Sequence, residues 1–243
     1  MAITKLRAVQ PSLRTGPDGK PIRNKLLLAL PDADFRLIRP DLQFVELPHH
    51  SNLHQPHRPL NFAHFPNEGL ISLVVEMRDG KGVEAGLVGN EGASGMPAVF
   101  GLEKSPLREV VQVVGSGFRV KVSSLRKILS STPDLQMILA RFAAGLAMQV
   151  AQTAACNRLH KIEERLARWL LIAQDRVNSG VVPITHDFLA MMLGTDRPSV
   201  SLAASILQKT GAIVYQRGSI RILNRRNLEQ IACECYAIVK QYQ

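Results

Sequence analysis

Cysteine is nearly missing from this chain of 243 residues: only Cys156, Cys233 and Cys235 are present. Three thiols, two of them adjacent but one, are too few and too clustered for a disulfide framework, which excludes the stapled secreted scaffolds. Long apolar runs are missing too. No segment approaches the roughly 20 apolar residues of a membrane span, and the first 24 residues mix Lys, Arg, Pro and Gly without the apolar run of a signal peptide. The expectation is a cytoplasmic protein with no membrane partner. Acidic residues are also short, 20 against 30 Lys and Arg, which leaves a net charge of +10. Such a surplus favours nucleic acid or another anionic partner.

Hydrophobic residues make up 46% of the chain, so there is material for a packed core. Residues 1–24 read as a flexible tail. Short apolar groups at Leu26 to Leu30 and Phe35 to Ile38 suit small helices. From 25 to 131 the texture is that of a β domain: Phe44 to Leu47, Leu70 to Val75, Val83 to Val88, Val110 to Val114 and Phe118 to Val122 are short β-branched runs. Arg78-Asp79-Gly80, Gly89 to Gly92 and Gly115-Ser116-Gly117 stand between them as turns. Strands at this spacing predict an antiparallel β-barrel or jelly roll.

The period then changes. Leu135, Leu139, Phe142, Leu146, Gln149, Thr153 and Cys156 recur at alternating steps of four and three, the seam of a coiled coil. Ala143, Ala144, Gly145 and Ala147 allow close helix approach. Residues 132–157 are accordingly expected to form a long dimerisation helix with a hinge at Asn157, and the partner is a second copy of the chain. A helix packed only on its own barrel is the alternative. A second helix follows from about His160 to Val177, closed by Asn178-Ser179-Gly180.

Residues 158–243 carry the most specific pattern. Thr185 can cap a helix over His186 to Leu193, Gly194 supplies a sharp turn, and Asp196 caps a second helix in which Pro198 sits harmlessly in the first turn. Val200, Ala203, Ala204 and Leu207 form its inward stripe. Ala212 to Tyr215 and Ile220 to Leu223 then read as a hairpin around Gln216-Arg217-Gly218-Ser219. Two short helices joined at a glycine and followed by a hairpin make a winged helix-turn-helix, whose second helix enters the DNA major groove. Its outward residues are Arg197, Ser199, Ser201, Leu202, Ser205 and Gln208. Arg197 suits a bidentate contact to guanine and Leu202 a thymine methyl, while Thr185 and Arg217 suit phosphates.

From Ile22 onward the chain resembles the CRP/FNR family of bacterial regulators, in the order barrel, long helix, winged helix-turn-helix. The resemblance is carried by Arg165-Leu166-Ala167-Arg168-Trp169-Leu170-Leu171, by Ile184-Thr185, by Arg197-Pro198-Ser199-Val200-Ser201, and by Leu207 to Ile222. It implies an α+β fold with a cyclic-nucleotide-binding-like N-terminal domain, a homodimer on double-stranded DNA, and contact with RNA polymerase if the protein is an activator. Pro198 and Leu202 depart from the family's usual recognition helix, so its familiar operator does not carry over.

The sensor half departs further. Met96 stands where cyclic-nucleotide binders have glutamate, and Leu107-Arg108-Glu109 replaces their arginine–serine pair. Met96 and Arg108 are the candidate effector-pocket residues, with no cyclic nucleotide expected. No cysteine precedes Cys156, which excludes the family's usual iron–sulfur ligation, and Cys233 and Cys235 read as packing residues two apart on a terminal helix. His49, His50, His54, His57 and His64 offer an alternative: a haem- or metal-dependent sensor. A metal-dependent cupin-like enzyme is a more distant one, since His54-Gln55-Pro56-His57 does not match its ligand spacing. No nucleophile elbow, phosphate-cradling loop or paired acid and base is present. The sequence therefore predicts a regulator without a cofactor, not an enzyme.

Overall fold

The computed structural model describes residues 14–177 and 179–242. Arg14 donates to the carbonyls of Leu27 and Leu30 at 2.8 and 2.6 Å, and Thr15 pairs with Pro21. Asn24 is fully buried. Its side chain caps helix α1 (Lys25–Ala29) at the amides of Leu26 and Leu27, and donates to the carbonyls of Pro66 and Gly92. Residues 14–24 are thus built into the β domain rather than belonging to a flexible tail; residues 1–13 lie outside the described residues. Helix α2 (Asp32–Ile38) and a short 3-10 turn follow.

Among the described residues seven strands form the β domain: β1 (Gln43–Leu47), β2 (Asn52–His54), β3 (Phe62–Pro66), β4 (Leu70–Glu76), β5 (Gly82–Val88), β6 (Leu107–Val113) and β7 (Gly115–Lys121). They make two antiparallel sheets, β1-β7-β3 and β2-β6-β4-β5, the jelly-roll arrangement anticipated from the strand spacing. Two strands, β2 and β3, had no β-branched signature. The segment Gly115-Ser116-Gly117, expected as a turn, is the first half of β7. Its glycines are there for close approach: a Cβ on Gly115 would lie 2.1 Å from the Glu68 carbonyl oxygen. Val114 alone separates β6 from β7, and the chain passes there from one sheet to the other.

Helix α3 (Met96–Val99) lies between β5 and β6, and α4 (Val122–Leu129) leads to the long helix α5 (Pro133–Leu159). Helix α6 (Ile162–Val177), strand β8 (Val181–Pro183), helices α7 (His186–Leu193) and α8 (Arg197–Lys209), strands β9 (Ile213–Gln216) and β10 (Ser219–Ile222), and helices α9 (Arg225–Ile231) and α10 (Cys235–Lys240) complete the fold. Helix α5 runs through Asn157, so the break between the helices falls at His160 and Lys161. Asn178, expected as part of the closing turn of α6, lies outside the described residues.

The sheet β2-β6-β4-β5 is covered on both faces. Ile71, Leu73 and Val88 pack toward Phe142 and Leu146 of α5, while Leu70, Val74, Leu87 and Val110 join the core of the C-terminal domain around Trp169 and Leu170. This double burial explains why β4 reads as a continuous apolar run instead of an alternating one.

The same packing engages the residues of the expected dimer seam within the chain. Leu135 and Leu139 are buried in the β-domain core, and Phe142 and Leu146 pack on its sheet. Gln149 accepts from Arg176 at 2.9 Å, Arg168 donates to Thr153 at 3.4 Å, and Cys156 faces Cys233. The stripe predicted to face a second chain packs on its own chain, with Phe142 and Leu146 half-buried. Among the described residues, no helix is long and apolar enough to cross a membrane.

Candidate nucleic-acid interface

Helix α7 begins where the Thr185 hydroxyl accepts from the Phe188 amide, at 3.3 Å. It ends at Gly194, whose φ of 56° is a left-handed conformation that costs glycine little. Helix α8 begins at Asp196, whose carboxylate accepts from the Ser199 amide at 2.7 Å. Four residues of its inner face, Val200, Ala203, Ala204 and Leu207, are buried against the domain core. Sequence and geometry agree on both caps and on the buried stripe.

The outward residues divide. Arg197 stands free of the surface, with only a loose approach of 3.7 Å to Asp187, and both side chains are about two-thirds exposed. Leu202 is 63% exposed, and Ser205 and Thr185 are exposed as well. Ser199 is half-buried. Ser201 is half-buried and engaged: its hydroxyl lies 2.9 Å from His186 Nδ1, and the His186 ring packs on Tyr215 at 4.1 Å. Gln208 is engaged too, accepting from the Tyr215 amide at 3.0 Å, which ties α8 to the wing. Ser201 and Gln208 therefore brace the motif.

The wing is a three-stranded sheet, β8-β10-β9, one strand more than the hairpin expected. At its tip Arg217 and Gly218 have φ of 33° and 82°. Two positive φ values between paired strands are the signature of a type I′ turn, whose twist matches the flanking strands. The turn projects Arg217 into solvent. Exposed Arg221 on β10 and Lys209 at the end of α8 add positive charge, and neither stood out from the sequence pattern.

This arrangement defines a class of DNA-binding domain. Residues 164–231 match the model of the Crp-like helix-turn-helix domain. Solved structures extend the likeness to the whole fold. The c-di-GMP-responsive global regulator CLP of Xanthomonas campestris superposes with a TM-score of 0.67 over 80% of this chain and 100% of that one, at 12% identity. FixK2 of Bradyrhizobium japonicum gives 0.64 over 79% and 98%, at 18% identity. A CRP-family transcriptional regulator of Thermus thermophilus gives 0.65 over 77% and 96%, also at 18%. No curated protein matches the sequence. The likeness to CRP/FNR regulators read from the sequence thus holds for the DNA-binding domain and for the fold.

The two candidate effector residues part company. Met96 is buried on α3 beside an apolar groove of about 560 Å³ lined by Leu73, Phe100, Leu107, Leu146 and Val150. Arg108 points to the other face of β6, where it pairs with Glu76 at 3.0 Å and lies 3.6 Å from the Met191 sulfur. It is a contact between domains, not a pocket residue. Glu109 turns inward instead. It is buried, accepts from the Gly95 amide at 3.0 Å, and burial raises its pKa.

Among the described residues the five histidines from His49 to His64 form no metal-binding group, and His54 and His64 lie on β2 and β3. His49 and His50 stack on each other at 3.7 Å, and His50 packs on Phe188 at 4.3 Å. His64 lies 3.4 Å from the Ser94 hydroxyl, and burial with the nearby Arg119 charge holds its pKa down to about 4. Among the described residues the grouping with metal-ligand geometry is a different one: Cys156, His160, Cys233 and Cys235, whose donor atoms all lie within 4.8 Å of one another. The sequence reading separated Cys233 from Cys235 by assuming one helix. In fact α9 ends at Ile231 and α10 begins at Cys235, so the break turns both thiols the same way.

Proposed function

We propose that the protein is a sequence-specific, DNA-binding transcription regulator of the CRP/FNR type that acts as a homodimer and is not an enzyme. The observation that carries this reading is the winged helix-turn-helix itself: a capped α8 with Arg197, Leu202 and Ser205 free on its outer side, and Arg217 presented at the wing tip. Arg197 reads a guanine edge and Leu202 a thymine methyl, while Thr185, Ser199 and Arg217 hold phosphates. RNA polymerase is a further partner if the regulator activates transcription.

A different face of α5 supports the dimer. Met137, Arg141, Ala144, Met148, Ala151, Ala155 and Arg158 are exposed and repeat at steps of four and three. Each lies two positions after a member of the expected stripe, about 200° around the helix. Met137 and Met148 are about half exposed, and the alanines permit close approach of a second helix. Two-fold pairing along this face sets two recognition helices over successive half-sites.

The β domain is proposed to work without cyclic AMP. The buried Glu109 carboxyl already takes the amide at the start of α3, and a phosphate brought there would meet a buried acid instead of a cationic partner. A change in the β domain would reach the DNA-binding domain through their shared face and the break at His160 and Lys161, biasing DNA affinity. Selection of bound DNA from a random pool, with and without cell extract, tests the whole reading. It should return a two-fold symmetric site. A purified protein that shows no preference over competitor DNA at moderate salt would overturn it.

A further inference from the structure

The end of the long helix and the C-terminal segment meet at a cluster that DNA recognition does not use. Cys156 lies on the last turn of α5, and His160, four residues on, follows the end of that helix with its amide donating to the Cys156 carbonyl at 3.2 Å. Cys233 and Cys235 flank the start of α10. The Cys156 and Cys233 sulfurs are 3.5 Å apart, and the Cys235 sulfur is 3.5 Å from His160 Nδ1. Ligands on a tetrahedral ion with bonds of about 2.0–2.3 Å sit at such separations. Four donors within 4.8 Å are also too close to span a multi-iron cluster.

The surroundings fit the same chemistry. His160 Nε2, the nitrogen facing away from the thiols, lies 3.2 Å from the Glu234 carboxylate. A carboxylate behind a ligating imidazole fixes its tautomer and orients the other nitrogen toward the ion. Gln152 donates to the Cys235 sulfur at 3.0 Å, as a thiolate needs. Two buried guanidiniums lie close by. Arg165 reaches Asn157 and the Leu193 carbonyl, and Arg168 reaches Thr153, yet the Nε of each is buried without a partner. Three thiolates, a neutral imidazole and a divalent ion carry one net negative charge, which suits a site beside two buried guanidiniums.

We infer that Cys156, His160, Cys233 and Cys235 bind one thiophilic divalent ion of the zinc class, pinning the end of α5 to the C-terminal segment across the break between α5 and α6. Three S–H protons are released as three metal–sulfur bonds form; no electron is transferred. The donor set matches a closed structural site, Cys3His with no open position. The ion holds the DNA-binding domain in fixed relation to α5, and the site stands whether or not the operator is ever found.

The full-length protein, purified without chelator, should contain about one zinc per chain, and its three cysteines should react slowly with a thiol reagent until a chelator is added. Refilling with cobalt(II) should give visible d–d bands of tetrahedral thiolate coordination. Cys156→Ser and Cys233→Ser should abolish those bands. Glu234→Gln, which keeps every ligand and so keeps the test readable if the cysteine variants misfold, should weaken zinc affinity about 10- to 100-fold. Three freely reactive thiols with no tetrahedral cobalt spectrum, bands that survive Cys233→Ser, or an iron–sulfur chromophore would each overturn the proposal.

Discussion

Glu84 is fully buried on β5, where it accepts from the Ser72 hydroxyl at 2.7 Å and from the Trp169 indole at 2.8 Å. Burial pushes its pKa up to about 7, against the opposing pull of these two donors and of Arg168 and Arg176 on α6. A folded-state value above the ordinary one means that the folded chain binds this proton more tightly than the unfolded chain. The group's stabilising contribution is therefore full below its unfolded pKa and is lost as pH rises toward 7, a change of about 3 kcal/mol at most. Melting temperatures measured from about pH 5 to pH 8 should fall more in the wild type than in Glu84→Gln, which keeps the shape and cannot ionise; parallel curves would remove Glu84 from the account. Arginines on the DNA face separate by role in the same residue-by-residue way. Arg197→Ala should relax preference at one base position, by about 1–3 kcal/mol of discrimination. Arg217→Ala should weaken all sequences alike and lower the slope of log affinity against log salt by about 1. Binding to a selected site and to scrambled DNA across a salt series reads both.

Elements were legible wherever one physical cause dominated. Caps, glycine turn and inward stripe located α7 and α8, because hydrogen-bonding residues and a 3.6-residue period point to the same boundaries. Strands β2 and β3 escaped: Asn52-Leu53-His54 and Phe62-Ala63-His64-Phe65-Pro66 owe their extension to pairing with β6 and β7, not to β-branched side chains. Helix α5 was found as a helix, but the stripe read as its dimer face packs on its own chain. It has a second stripe at coiled-coil spacing, of methionines and alanines with an arginine at 141 and 158, and the sequence alone does not say which stripe the chain keeps. The polar members Gln149 and Thr153 are buried because Arg176 and Arg168 arrive from α6, partners with no local signal. The assignment separates in solution. Ala144→Glu combined with Met148→Lys should convert a dimer to a folded monomer by sedimentation, whereas Leu139→Asp should unfold the chain through its buried, unpaired charge. A dimer that survives the first pair of substitutions would move the interface elsewhere.

At the scale of the molecule, the DNA-binding domain rests on the β sheet through a face that is partly polar. Arg176 of α6 donates to Glu91 at 2.6 Å and to Gln149 at 2.9 Å, so one side chain joins β domain, long helix and DNA-binding domain. Gly89 makes room for it: a Cβ there would lie 2.8 Å from that of Arg176. Farther along the same face, Val83 meets Gly194, and His50 packs on Phe188 of α7. A wholly apolar contact would hold over many small slips, while an ion pair with its hydrogen bonds holds in one register, which suits the proposal that the orientation of this domain biases DNA affinity. Burying two charges is costly, however, and their attraction does little more than repay it. Breaking the pair from one side should therefore differ sharply from replacing it. Arg176→Met leaves Glu91 buried and unpaired and should lower the unfolding free energy by about 3–5 kcal/mol, whereas the double variant Glu91→Leu/Arg176→Met should recover most of that loss. Equilibrium denaturation of the two proteins decides the point, and equal losses would show that the cost does not come from a Glu91 left buried and unpaired. DNA affinity measured on the double variant then isolates register from stability: a well-folded protein whose domain no longer seats in one orientation should bind its operator differently from the wild type.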